Sequence, residues 1–250
     1  MGGRPPFRFR GRVEAVFAID VISVQPKMLS GFLTESIVAR AVKKRACEIG
    51  IVDLREFGRG RWRKVDDRPY GGGPGMLMCC EPWFDAVEHC ASRRAAVAAP
   101  RRRVVMTDPK GRRFSQRDAE AFAAMAAEGD LHMVFMCGHY EGFDARCEAL
   151  ATDRFSVGDF VMTGGELAAA AMVDAIVRLL PGVLGGGPAA TADESFGPDG
   201  LLEAPQYTRP PEFRGMRVPD VLLSGDHLRI EAWRRAAARR ITEEAASNMV

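Results

Sequence analysis

The sequence predicts an α/β fold with a mostly parallel sheet, followed by a flexible linker and a small helical domain. Three observations predict it. Strand-length apolar runs alternate with helix-period stretches from Val16 to Leu180. One run, Leu131–Cys137, is apolar almost throughout, as a strand covered on both faces requires. Composition then shifts: Pro181 closes the last apolar helix, and Gly185-Gly186-Gly187-Pro188 opens a stretch of small and turn-forming residues lasting to Gly200.

In order, Val16–Val24 is β-branched and apolar and stops at Pro26, which marks a strand. From Thr34 to Ile49, Ile37, Val38, Ala41, Val42 and Ala46 fall at helical spacing, with Lys43, Lys44 and Arg45 opposite. Ile51–Leu54 is a second short apolar run. Pro82, tolerated in a first turn, opens a helix through Val97. Val104-Val105-Met106 is a strand, and Ser115 with Asp118 forms a capping box before the helix of Ala119–Ala127. Glu166–Leu180 is a helix apolar around most of its circumference, so it is expected to be buried nearly all round. Asp174 and Arg178, four residues apart on it, have the spacing of an ion pair. Ser224 caps a last helix from Asp226 to about Ala245, with Ile230, Trp233, Ala237 and Ile241 in one stripe among arginines. The expected organisation is a basic flexible extension at 1–14, an α/β domain at 15–184, a linker at 185–203 and a helical domain at 204–250.

Composition excludes several classes. With 35 basic and 33 acidic residues the formal charge is +2, which fits neither a polycation nor an acidic tail. No apolar run has the ~18 residues of a membrane span, because Glu166, Asp174 and Arg178 interrupt Phe160–Leu184. The arginine-rich start lacks the apolar core of a signal peptide. Six cysteines without Cys-x-x-Cys pairing and four scattered histidines give no disulfide framework and no metal-ligand spacing, so reduced thiols in the cytoplasm and no metal site are expected.

Three glycine-rich segments follow apolar runs. Arg68-Pro69-Tyr70-Gly71-Gly72-Gly73-Pro74-Gly75-Met76 is a loop of four glycines and two prolines, suited to close backbone approach or to a long turn. It is neither a Walker loop nor a dinucleotide fingerprint. Cys137-Gly138-His139-Tyr140-Glu141-Gly142 comes directly after the buried strand, where open α/β sheets bind ligands. Gly158-Asp159-Phe160-Val161-Met162-Thr163-Gly164-Gly165-Glu166 leads into the apolar helix.

Together, and in this order, these segments resemble the bacterial tRNA (guanine-N1)-methyltransferase family. Leu179-Leu180-Pro181-Gly182-Val183-Leu184-Gly185, Asp199-Gly200-Leu201-Leu202 and Tyr207-Thr208-Arg209-Pro210-Pro211 continue the match, which runs from about Phe17 to Arg240. The resemblance implies a SPOUT-type, mostly parallel sheet with a deep trefoil knot, in a homodimer with its active site at the subunit interface. It implies that S-adenosyl-L-methionine is the donor and that N1 of the guanine at tRNA position 37, next to the anticodon, is the acceptor. Carried onto this sequence, the donor contacts fall on Thr107, Asp108, Pro109, Gly111, Gly138, Tyr140, Glu141, Val157, Gly158, Asp159, Phe160, Val161 and Met162, supported by Gly164 and Gly165. The tRNA contacts fall on Arg68, Gly72, Gly73, Pro74, Gly75, Arg209, Arg234 and Arg235. Arg59, Arg61, Arg63 and Lys64 around Trp62 are further candidates for phosphate contacts.

The resemblance also assigns the chemistry. A linker carboxylate removes the guanine N1 proton, and an arginine on the apolar helix faces O6 as negative charge builds there. The arginine maps onto Arg178. Counting forward from it places the base at Asp193; the family usually has an aspartate directly before Ser-Phe, and that position here is Glu194. A carboxylate titrates far below guanine N1, and each unit of mismatch is worth about 1.4 kcal/mol. Desolvation of the base and the cation opposite O6 both shrink that gap. A magnesium requirement is not legible in these residues.

Overall fold

The computed structural model describes residues 17–94, 101–185 and 194–247. The chain divides into two compact units, 1–184 and 185–250.

The first unit is built on strands β1 (Phe17–Ser23), β2 (Cys47–Asp53), β5 (Arg101–Arg113), β6 (Leu131–Cys137) and β7 (Asp153–Ser156), with a two-stranded ribbon of β3 (Asp66–Asp67) and β4 (Leu77–Met78). Its helices are α1 (Ser30–Thr34), α2 (Ser36–Lys43), α3 (Cys80–Arg93), α4 (Gln116–Ala127) and α5 (Glu166–Val177). The five long strands form one sheet in the order β2-β1-β6-β5-β7, with every pairing parallel. Side chains alternate between two apolar layers. Ile19, Val21, Met133 and Phe135 meet α4 and α5 on one face, while Ile22, Val134 and Met136 meet Trp83 and Cys90 of α3 on the other. Strands β1 and β6 are buried at every residue, so only nearly continuous apolar runs can occupy them.

Several boundaries differ from the sequence expectation. The helix expected through Ile49 stops at Lys43, because Arg45 turns left-handed at φ 58° and Cys47 enters the parallel ladder opposite Phe17. Sheet pairing overrides a helical spacing there. The strand expected at 104–106 extends over thirteen residues, Arg101–Arg113, and its register with β7 shifts between Thr107 and Arg112. The helix expected from Pro82 begins at Cys80, with Pro82 still in the first turn, where an amide has no intrahelical partner anyway. Residues 95–97 of that expectation lie outside the described residues. At the start of α4 Ser115 and Asp118 form the expected capping box, the Asp118 carboxylate accepting from the Ser115 amide at 2.9 Å and from its hydroxyl at 2.7 Å.

Helix α5 corrects the expectation of all-round burial. Ala168, Ala169, Met172, Val173, Ile176 and Val177 are buried, but Leu167, Ala171 and Asp174 form an exposed stripe, Leu167 being 58% exposed. Among the described residues, the Leu167–Ala171–Asp174 side of the helix is left uncovered.

One polar side-chain pair lies inside the sheet among the described residues. Asp20 on β1 and His132 on β6 are fully buried and 2.9 Å apart, and an added Cβ at Gly50 on β2 would overlap the Asp20 carboxylate. Burial pushes the Asp20 carboxyl up. The His132 hydrogen bond, with the charges of His132, Arg94 and Arg93, outweighs that and holds it below its ordinary value. Burial also pushes the Cys47, Cys90 and Cys147 thiols up to about 12, which makes them poor nucleophiles.

The second unit contains the ribbon β8 (Glu212–Phe213) and β9 (Met216–Arg217), the short helix α6 (Asp220–Leu223) and the long helix α7 (His227–Ser247). Along α7, Ala237 and Ala238 are buried and Ile230, Trp233 and Ile241 half-buried, while the arginines are exposed. The Leu202 amide donates to Thr242 Oγ1 at 2.8 Å, tying the preceding segment to the helix. Among the described residues no helix is long and apolar enough to cross a membrane.

Candidate active site

In a parallel sheet all carboxyl ends share one edge, and the loops leaving β5, β6 and β7 meet there. They enclose a cleft of about 290 Å³. From the irregular stretch of β5, where its register with β7 shifts, come Thr107, Asp108, Pro109 and Lys110; from the β6 end come Gly138, His139, Tyr140, Glu141 and Gly142. The segment after β7 adds Val157, Phe160, Val161, Met162, Thr163, Gly164 and Gly165.

The cleft is shaped by backbone approach. The chain that leaves the edge strand β7 returns to the centre of the sheet, where His139 and Gly164 pair as an antiparallel bridge and the Gly165 amide donates to the Gly138 carbonyl at 2.8 Å. At Gly165 a Cβ would overlap Thr107 Oγ1 and come within 3.1 Å of the Cys137 Cα, so only glycine passes there. Thr107 is held in turn by its hydroxyl donating to the Met136 carbonyl at 3.0 Å. Glu166, the first residue of α5, is fully buried; the Ser23 hydroxyl donates to its Oε1 at 2.6 Å, while Oε2 and His139 Nδ1 have no hydrogen-bond partner among the described residues.

The structure brings two of the glycine-rich segments together beside the cleft. The Glu141 amide donates to the Met76 carbonyl at 3.0 Å, and the Met78 amide to the Gly142 carbonyl at 3.0 Å. The exposed loop of Gly72, Gly73, Pro74 and Gly75 thus lies against the Tyr140–Gly142 turn, where Tyr140 takes a left-handed φ of 56°. Arg68 is exposed at the start of that loop.

Three residues expected to contact the donor stand off the lining. Gly111 lets β5 pack against the Phe155 backbone, Gly158 is capped by Ser156 Oγ, which donates to its carbonyl at 2.8 Å, and Asp159 pairs outward with Arg113 at 2.6 Å. Conversely His139, Glu148 and Arg154 line the cleft although the resemblance does not place them among the donor contacts. Arg154 sits 2.7 Å from Asp108 and 3.1 Å from Glu148. Its position on β7 was hidden because only Phe155 of that four-residue strand is buried.

Among the residues lining this cleft Arg178 does not appear. Arg178 is half-buried just past the far end of α5, whose twelve residues separate it from Gly165 by about 18 Å of helix. Asp193 lies outside the described residues. Glu194 belongs to the second unit, where it lines a groove with Arg209, Arg234 and Arg235.

A parallel sheet whose carboxyl-edge loops close over a small-molecule cleft defines an α/β ligand-binding protein of the open-sheet class. The family follows from likeness to known proteins. A family profile described as tRNA (Guanine-1)-methyltransferase TrmD matches residues 17–250. A tRNA (guanine-N(1)-)-methyltransferase of Geobacillus kaustophilus is 48% identical over 225 residues, 90% of this chain and 87% of the relative. The protein of the same name from Levilactobacillus brevis is 47% identical over 232 residues, 93% and 89% of the two chains. This chain belongs to the tRNA (guanine-1)-methyltransferase family.

Proposed function

We propose that this chain, as a member of that family, transfers a methyl group from S-adenosyl-L-methionine to N1 of the guanine beside the tRNA anticodon, position 37. The observation that carries the reading is the cleft itself: Thr107, Asp108, Pro109, Gly138, Tyr140, Glu141, Val157, Phe160, Val161, Met162, Gly164 and Gly165, far apart in sequence, line one cavity. Its walls fit a nucleoside with a flexible tail. Glycine backbone offers amides and carbonyls to a purine edge, and Val157, Phe160, Val161 and Met162 offer apolar surface.

The donor supplies an activated methyl, so this chain's residues align the acceptor and manage its proton. Asp193, with Glu194 as the rival, takes the N1 proton; the nitrogen lone pair forms the N1–methyl bond as the carbon–sulfur bond breaks. The Arg178 guanidinium stabilises the negative charge appearing on O6. These roles extend to a homodimer with the active site at the subunit interface. What supports that extension is the exposed Leu167–Ala171–Asp174 stripe and the helix length between Arg178 and its own cleft. A second copy packed on that stripe brings its Arg178 toward the first copy's cleft.

A SPOUT-type trefoil knot is part of the same reading, supported by the return of the chain after β7 to the end of β6. So are a methyltransferase domain at 15–184, a linker at 185–203 that orders on substrate docking, a tRNA-binding helical domain at 204–250 and a cytoplasmic location. The six free cysteines accord with that location. The mechanism assigns no step to magnesium.

The test is reverse transcription of tRNA treated with the protein and donor. A donor-dependent stop beside the anticodon is expected; a stop elsewhere, or none, contradicts the reading.

A further inference from the structure

Between β2 and β3 the chain makes a short hairpin, residues 58–64, that the donor cleft does not use. Its backbone is fixed. Arg59 and Lys64 exchange amide-to-carbonyl hydrogen bonds of 2.9 Å in both directions, and the Arg63 amide donates to the Gly60 carbonyl at 3.2 Å. Gly60 at φ 70° and Arg63 at φ 48° turn the tip, and a Cβ on Gly58 would overlap the Arg63 carbonyl. This tight turn presents Trp62 to solvent at 84% exposure, while Trp83 is fully buried and Trp233 half-buried.

An indole held out on a rigid tip gains nothing from folding. Its surroundings say what it meets. Arg59 is tied to Asp85 at 2.7 Å and Lys64 to Asp67 at 2.9 Å. Arg61 and Arg63, on either side of Trp62, make no ion pair among the described residues, and the Arg61 guanidinium lies 5.4 Å from the indole centroid. An aromatic plane between two cations without an ion-pair partner among the described residues, one of them over the ring itself, matches a nucleotide: the ring stacks on a base and the guanidiniums meet its flanking phosphates. An apolar peptide or a lipid tail gives the guanidiniums nothing. The hairpin leaves the carboxyl end of β2, on the sheet edge that carries the cleft. It is joined to the cleft wall by backbone: the Cys79 amide donates to the Val65 carbonyl at 2.8 Å, and Met78 bonds Gly142.

We propose that Trp62, flanked by Arg61 and Arg63, is a stacking platform for an unpaired nucleotide of the RNA substrate. The proposal rests on the tRNA reading above. It adds a contact outside the donor cleft and the basic second unit.

The experiment uses the full chain and unmodified tRNA. Trp62→Leu keeps apolar bulk without the aromatic face, and Trp62→Phe restores a face. Trp62→Leu is expected to raise the KM and Kd for tRNA roughly 5- to 100-fold. Trp62→Phe should recover most of that loss. The donor Kd, which reports the folded cleft, should stay within about twofold in both. Saturating tRNA should protect wild-type indole fluorescence from iodide, and Arg61→Gln or Arg63→Gln should each lower the slope of log Kd against log salt by about one. Wild-type tRNA affinity in Trp62→Leu, equal losses in Trp62→Leu and Trp62→Phe, or unchanged iodide access overturns the proposal. Absence of methylated tRNA with the wild-type protein sinks the functional reading instead, and the binding and fluorescence comparisons still decide the platform.

Discussion

The donor cleft and the second unit use the same chain in opposite ways. Around the cleft, specificity is written in backbone: Gly165 admits no Cβ beside Thr107, and His139 pairs with Gly164. In the 185–250 unit the described core is thin, with Ala237 and Ala238 the buried apolar side chains, and Arg229, Arg234, Arg235, Arg239 and Arg240 stand in solvent. A small ligand of fixed shape demands closely placed atoms and so leaves glycine motifs. A phosphate backbone demands only charge at roughly the right density.

If that contrast holds, substitutions in the two regions fail differently. The largest effect belongs to the acceptor's base. Asp193→Asn is expected to lower single-turnover methyl transfer about 10²–10⁴-fold, as loss of a general base does. Glu194→Gln should leave it nearly unchanged, and the opposite pattern reassigns the base. Next comes Gly165→Ala, whose methyl group collides with Thr107 and the Cys137 backbone. Donor affinity measured by calorimetry should fall by more than about 10-fold, since the cleft opens by fractions of an ångström, while tRNA binding persists. A variant that binds donor normally refutes the backbone account of the cleft. Smaller again is Arg234→Gln with Arg235→Gln: tRNA Kd should rise several-fold at low salt and converge on wild type at high salt, with donor affinity untouched. A salt-independent loss points to folding rather than phosphate contact.

The smallest effect concerns the shared scaffold. Asp20 ionises more readily when folded than when unfolded, so its contribution is present above the unfolded carboxylate value of about 4 and is lost as pH falls through the lower folded value. Wild-type melting temperature should therefore drop more steeply between pH 5 and pH 3 than that of Asp20→Asn. Parallel slopes remove Asp20 from the acid response.

What could be read from the sequence follows the same division. Gly138, Gly164 and Gly165 pointed to the cleft because an added Cβ there would overlap neighbouring atoms, whereas Gly71, Gly72 and Gly73 are needed for left-handed turning in open space, and Leu131–Cys137 showed its strand because both faces are covered. Strand β7 was missed because Asp153, Arg154 and Ser156 look like loop until Arg154 meets Asp108. The Asp20–His132 pair was illegible because its members are 112 residues apart and neither type belongs in a core alone. The exposed side of α5 differs from the expectation because apolar side chains run around most of the helix, although Leu167 and Ala171 stand exposed among the described residues. Arg178 stood out in the sequence as a polar exception in an apolar stretch, and it falls just past the end of α5. Its separation from Gly165 required the helix to be seen in place.

The most direct measurement is a nucleoside digest of tRNA after a single turnover with wild-type protein and with Arg178→Ala, run beside donor calorimetry. The expected result is 1-methylguanosine from wild type, a loss in Arg178→Ala of about 10²–10³-fold in rate, and donor affinity unchanged. Methylation at a ribose hydroxyl or another base, or an Arg178→Ala protein as fast as wild type, contradicts an arginine that stabilises the guanine oxygen during transfer to N1.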